Sequence, residues 1–165
     1  MRIALANDHA GYALKGAVVR ALRDAGHEVL DVGTQDETPV DFPLVTQRVT
    51  GLVLDGDAER GVLVCGTGVG ACIAANKVPG IRAAVIHDAF SAAQSVEHDD
   101  VNVACLGAWI VGPKVAQGTL EAFLSARFST DPDFRRRVSQ LADMERASAP
   151  SASLAREGRP GSPLN

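Results

Sequence analysis

Gly61-Val-Leu-Val-Cys-Gly-Thr-Gly-Val-Gly-Ala71 is the stretch that decides the fold. Gly61 to Val64 is a short apolar run leading to Cys65, which suits a strand buried on both faces of a parallel sheet. Gly66-Thr67-Gly68-Val69-Gly70 then turns the backbone where side chains would obstruct it, and Ala71-Cys72-Ile73-Ala74-Ala75 continues as a small-residue helix. A strand that ends in a glycine turn and enters a helix directs several unpaired N–H groups at one spot. That spot attracts anions, and Cys65 stands on its edge. The N–H dipoles are expected to lower the Cys65 pKa and favour its thiolate, making it a base or a nucleophile. Thr67 reads either as a turn residue or as a hydroxyl placed to bind a substrate oxygen.

Outward from this stretch, strand and helix alternate five times with short connections. Arg2 to Ala6 is an apolar strand ending at Asn7-Asp8-His9, and a helix follows with Leu14, Val18, Ala21, Leu22 and Ala25 at helical spacing. His27 to Gly33 is the second strand, and Asp41 with Pro43 opens a helix to about Asp55. After the central strand, Arg82 to Ile86 is the fourth, ending at His87-Asp88. A helix from Ala89 to Glu97 delivers His98, Asn102 to Leu106 is the fifth strand, and Pro113 opens a helix to about Arg127. The pattern predicts a three-layer α/β/α, Rossmann-like fold with a five-stranded parallel sheet. Ligands gather at the carboxyl ends of strands in such folds. Those ends carry Asp8 and His9, Cys65 and Thr67, and His87 and Asp88.

Thr130 and Asp133 resemble a capping box for a last helix with Phe134, Val138 and Leu141 as its apolar stripe. A helix added beyond the sheet is suited to packing on a second subunit. One domain over residues 1–146 is expected, followed by a Ser-, Ala-, Pro- and Gly-rich tail over 147–165 that reads as disordered.

Apolar residues make up 46% of the 165, charged residues 22%, and the net charge is −4, so nothing favours nucleic acid or an anionic membrane. Aromatic residues are only 4%, too few for a base-stacking surface. No run approaches the roughly 20 apolar residues of a spanning helix. Three cysteines, an odd number in apolar surroundings, point to reduced thiols in the cytoplasm. Cys72 and Cys105 read as packing.

Several chemistries compete for the glycine turn. Gly66-x-Gly68-x-x-Ala71 matches a dinucleotide fingerprint, with Asp88 about 20 residues on. It sits in the third unit, however, and the chain has no second domain for a dehydrogenase substrate. A cysteine phosphatase needs an arginine where Ala71 stands. A metal site needs three or four convergent ligands, and no His, Asp or Glu spacing announces one. Proton transfer beside a carbonyl uses the most residues: a thiolate takes the proton from carbon, turn amides hold the enediolate oxygen, and a histidine handles hydroxyl protons. His9 and His98 fall at element ends and are candidates for the last task. Asp8 could orient His9 or hold a sugar hydroxyl, while His98 could equally offset the dipole of its own helix.

With these residues assembled, the chain resembles the ribose-5-phosphate isomerase B family, which includes galactose-6-phosphate isomerase subunits. The matching stretches are Asn7-Asp-His-Ala-Gly-Tyr-Ala-Leu-Lys15, Asp31-Val-Gly33, Val40-Asp-Phe-Pro43, Cys65 to Gly70, Ile73 to Lys77, Gly80 to Ala83, Glu97-His98 and Asn102-Val103. The resemblance implies aldose–ketose isomerisation through a cis-enediolate, with no cofactor or metal. It also implies a homodimer or dimer of dimers with active sites at the subunit interface. By position, Cys65 matches the family's base and His98 its ring-opening histidine. Asp8 and His9 match substrate contacts, and Gly66, Gly68, Val69 and Gly70 belong to the anion hole. The phosphate end departs from the family pattern. Trp109 stands where an arginine is usual, and Asp133-Phe134 lie near a usual Arg-His. Asp99 replaces an asparagine, Phe42 replaces a tyrosine, and Arg137 is kept. The expected substrate pair is ribose 5-phosphate and ribulose 5-phosphate. A tetrulose phosphate or an unphosphorylated sugar is the alternative, and a non-catalytic sugar-binding module is the rival from another class.

Overall fold

The computed structural model describes residues 1–148. Five strands form one sheet: β1 (Arg2–Asn7), β2 (Glu28–Asp31), β3 (Arg60–Cys65), β4 (Ala83–Val85) and β5 (Val103–Gly107). Six helices accompany them: α1 (Tyr12–Asp24), α2 (Phe42–Leu54), α3 (Val69–Ala75), α4 (Ala89–Asp99), α5 (Pro113–Ser125) and α6 (Pro132–Ser148). The strand order is β2-β1-β3-β5-β4 and every pairing is parallel. The expected doubly covered parallel sheet is therefore what the chain forms. Ala147 and Ser148 continue α6 instead of beginning the tail, and the rest of the tail lies outside the described residues.

Alternation along the strands divides the core into two layers. Ile3, Leu5, Val62, Val64, Ala104 and Leu106 point to one face and meet Leu14, Val18 and Leu22 of α1 and Leu120 and Phe123 of α5. Ala4, Ala6, Leu63, Val103 and Cys105 point to the other and meet Val45 and Val49 of α2 and Ala71 and Ala75 of α3. Small strand residues on this second side let α3 lie close to the sheet. Helix α6 differs from the rest because none of its residues is buried, and Leu141 and Met144 are exposed. Its start is also not the expected capping box: the amide of Asp133 bonds the Asp131 carboxylate at 2.7 Å, and Asp133 itself pairs with Arg136.

The order reverses direction between β1 and β3, since β2 lies outward on one side and β5 and β4 on the other. At such a switch point the connections leave in opposite directions and open a crevice beyond the strand ends. Asp8 follows β1 there, and Cys65 ends β3.

Candidate active site

The register of β1 and β3 brings the first half of the site together. Asn7 pairs with Val64, and the Asp8 amide donates to the Val64 carbonyl at 3.2 Å. The Asp8 carboxylate, 5% exposed, accepts from the amide of Gly11 at 2.9 Å. The Asn7 amide donates to the Asp8 carbonyl and to the Thr34 hydroxyl. Lys15 closes the same corner, with Nζ 2.8 Å from Asp31 and 2.7 Å from the Thr34 carbonyl. These bonds explain why Asn7, Asp8 and Lys15 occur together: they fix the chain around one buried carboxylate.

Gly68 caps α3 in the left-handed region, with φ +80°. A side chain there would also meet the Leu106 backbone at 3.1 Å. Gly66 is forced by a different neighbour, the Trp109 indole, which lies 2.7 Å from where a Cβ would stand. The Trp109 amide donates to the Gly66 carbonyl at 2.9 Å, and the Ala108 amide to the Cys65 carbonyl at 2.8 Å. Trp109 thus covers the glycine turn while its ring stays 73% exposed. Phe42 presses on the other end of the turn, next to Gly70.

Cys65 is half-buried, and its thiol pKa is raised, which corrects the expectation of a lowered one. Burial is the main cause, followed by the thiol's hydrogen bond to Asp8 and the negative charge of that carboxylate. The amides of Gly66 and Gly68 do favour the thiolate as expected, but they are outweighed. An open depression of about 160 Å³ fronts the sulfur, walled in part by Asp8, Phe42, Thr46 and Ala71. A roomier one of about 550 Å³ between α1 and α5 has no cysteine or histidine in its walls. Thr46 was not legible as a site residue. It lies one turn after Phe42 on α2, and its buried hydroxyl has no partner among the described residues.

Thr67 is exposed, its hydroxyl 3.4 Å from the Val69 amide, and Val69 is exposed beside it. His9 is exposed as well, with Nδ1 accepting from the Val40 amide at 3.3 Å. The first half-site therefore gathers Asp8, His9, Cys65, Thr67, Gly66 to Gly70 and Trp109 at one end of the sheet.

His98, Asp99 and Arg137 lie at the other end. Helix α4 runs back from the end of β4, so His98 in its last turn comes out beside the starts of β3 and β5. The Ser129 amide donates to the Glu97 carbonyl there, and Arg60, the first residue of β3, donates to the carbonyls of Phe123 and Ala126. Strands rise about 3.3 Å per residue, so the five steps from Arg60 to Cys65 span about 16 Å. A single chain consequently does not bring His98 to Cys65. Phe134 of α6 stacks on His98, and the Arg137 guanidinium stands 5.5 Å from the Phe134 ring.

Cys72 and Cys105 occupy the layer beneath the turn. The two thiols interact, which holds Cys72 near a pKa of about 7 and, with burial, pushes fully buried Cys105 up. The Cys72 thiol itself donates to the Ala83 carbonyl at 3.4 Å. Among the described residues no cluster of His, Cys, Asp and Glu could hold a metal ion.

A parallel α/β sheet with a thiol, a carboxylate and an amide-lined turn at its switch point defines an enzyme fold built for acid–base chemistry on a small ligand. A family model described as Ribose/Galactose Isomerase matches residues 3–141. Ribose-5-phosphate isomerase B of Escherichia coli is 41% identical over 77% of this chain and 85% of its own. D-erythrulose-4-phosphate isomerase of Pectobacterium atrosepticum is 38% identical over 78% and 85% respectively. The solved ribose-5-phosphate isomerase B of Clostridium thermocellum superposes with a TM-score of 0.87 at 39% identity, covering 90% of this chain and all of its own. The chain belongs to the ribose/galactose isomerase family and is an enzyme interconverting aldoses and ketoses.

Proposed function

We propose that the enzyme interconverts ribose 5-phosphate and ribulose 5-phosphate through a cis-enediolate, with Cys65 as the carbon base. The observation that carries the reading is the setting of one sulfur, whose thiolate the Gly66 and Gly68 amides favour and the Asp8 carboxylate opposes. Cys65 takes the proton from the carbon beside the carbonyl and returns it to the neighbouring carbon. The turn amides and the Thr67 hydroxyl hold the oxygen that gains charge. Burial and Asp8 keep the resting group a thiol, so the base forms at low abundance but is strongly basic. His98, with Asp8 and His9, opens the sugar ring and carries the hydroxyl protons.

The working unit is a homodimer, in which the second copy's His98 end meets the Cys65 end of the first. Two features support this reading. The depression before Cys65 encloses only about 10 Å³, far below the roughly 300 Å³ at which ligand sites begin. Helix α6 also presents Leu141 and Met144 with nothing covering them among the described residues. Free Cys65, Cys72 and Cys105 suit a reducing cytoplasm.

A four-carbon ketose phosphate is the second reading, favoured by the Trp109 indole over Gly66 and by the relative named for erythrulose 4-phosphate. The test is an isomerase screen over phosphorylated and free sugars of four to six carbons, run in deuterated water. The account expects turnover on a phosphorylated sugar, with deuterium entering beside the carbonyl. Binding without exchange on every sugar would leave a sugar-binding module instead.

A further inference from the structure

His98 is held by two side chains that play no other part in the site. Gln94, one turn earlier on α4, sets its amide nitrogen 3.2 Å from His98 Nδ1. With the Gln94 NH2 turned toward it, Nδ1 is the acceptor, and a neutral ring in that pairing carries its proton on Nε2. Phe134, from α6, lies flat against the imidazole, with ring centroids 3.9 Å apart and planes 14° from parallel. Among the described residues no group bonds Nε2. A histidine serving only to offset the α4 dipole would need neither a chosen tautomer nor a fixed ring plane.

We propose that Gln94 and Phe134 are positioning residues for His98. Gln94 selects the Nε2–H tautomer, and Phe134 fixes the plane of the ring, so that Nε2–H is the group offered to the sugar's oxygens. This rests on the role given to His98 above, but its first readout does not. Phe134 lies in the first turn of a helix that has no buried residue, so the contact with α4 is what ties this end of α6 to the domain.

The test uses the full chain labelled with nitrogen-15, observed by long-range proton–nitrogen spectra at pH about 8.5, where a free imidazole is neutral. Wild type should have Nε2 protonated and Nδ1 bare. Q94E, whose carboxylate only accepts, should reverse the pair to Nδ1–H and lower kcat about 100-fold or more, with KM within about twofold, as wrong-tautomer variants do elsewhere. F134L should lower kcat in the same sense and F134Y, which keeps the stack, should restore it. An Nδ1–H ring in wild type, or a tautomer that ignores Q94E, would overturn the positioning. A reversed tautomer with unchanged kcat would uphold the positioning and remove His98 from the reaction.

Discussion

The amide of Asp8 is bonded to the carbonyl of Val64, and this sets the Asp8 carboxylate against the thiol of the next residue, Cys65. Burial first, and then that carboxylate, hold the thiol protonated above the ordinary cysteine range. In the proposed mechanism the active form is the thiolate, so activity should climb as pH rises. In wild type, kcat/KM should increase up to an alkaline limb that lies above the ordinary cysteine range. D8N removes a charge that helps to raise the pKa, so its limb should move to lower pH. A pH–rate series on both proteins checks this, and an unmoved limb would separate Asp8 from the thiol.

Replacing the base tests the chemistry itself. C65A should lose about 10²–10⁴-fold in kcat, the usual worth of a positioned proton-transfer group. Sugar binding, followed by calorimetry, should stay within a few-fold. Deuterium exchange beside the carbonyl should disappear with turnover. Exchange that persisted in C65A would assign the proton to another group.

Gly68 links stability to function. Alanine at its φ of +80° costs about 1–2 kcal/mol, and its Cβ would press on Leu106. G68A should lower Tm by about 2–8 °C in a chain of this size. Any shift of the turn moves the amides proposed to hold the enediolate oxygen, so kcat should fall more than KM rises. Thermal unfolding and steady-state rates measure both.

Trp109 bears on the substrate. W109R would place a guanidinium fork beside the turn, and such forks bind phosphate through paired charge-assisted hydrogen bonds. KM for a phosphorylated sugar should fall about tenfold, since hydrogen bonds to charged groups contribute about 1.5–3 kcal/mol. KM for the unphosphorylated sugar should not move. Equal effects on both would take Trp109 away from the phosphate end.

The sheet and the glycine turn were legible because both depend on local pattern: an apolar run, a turn that excludes side chains, and a helix of small residues. The same pattern placed Asp8 and Cys65 at strand ends, and topology made them neighbours. Three features needed the fold. The direction of the Cys65 pKa is set by burial against a carboxylate that is 57 residues distant in sequence, and amide dipoles alone point the other way. The separation of His98 from Cys65 follows from α4 running back along the sheet, which a reading of element ends does not register. Thr46 was hidden because a threonine inside an amphipathic helix gives no signal until its hydroxyl is found buried and unpartnered.

One chain carries Cys65 at one end of the sheet and His98 at the other, so in the proposed dimer each active site draws Cys65 from one copy and His98 from the other. C65A and H98N, each inactive alone, can be mixed in equal amounts, unfolded and refolded together. If sites are shared across a two-fold dimer, half of the dimers are mixed and each has one intact site, so about one quarter of wild-type activity should return. No recovery, with mixed dimers shown to be present by mass spectrometry, would contradict the shared site.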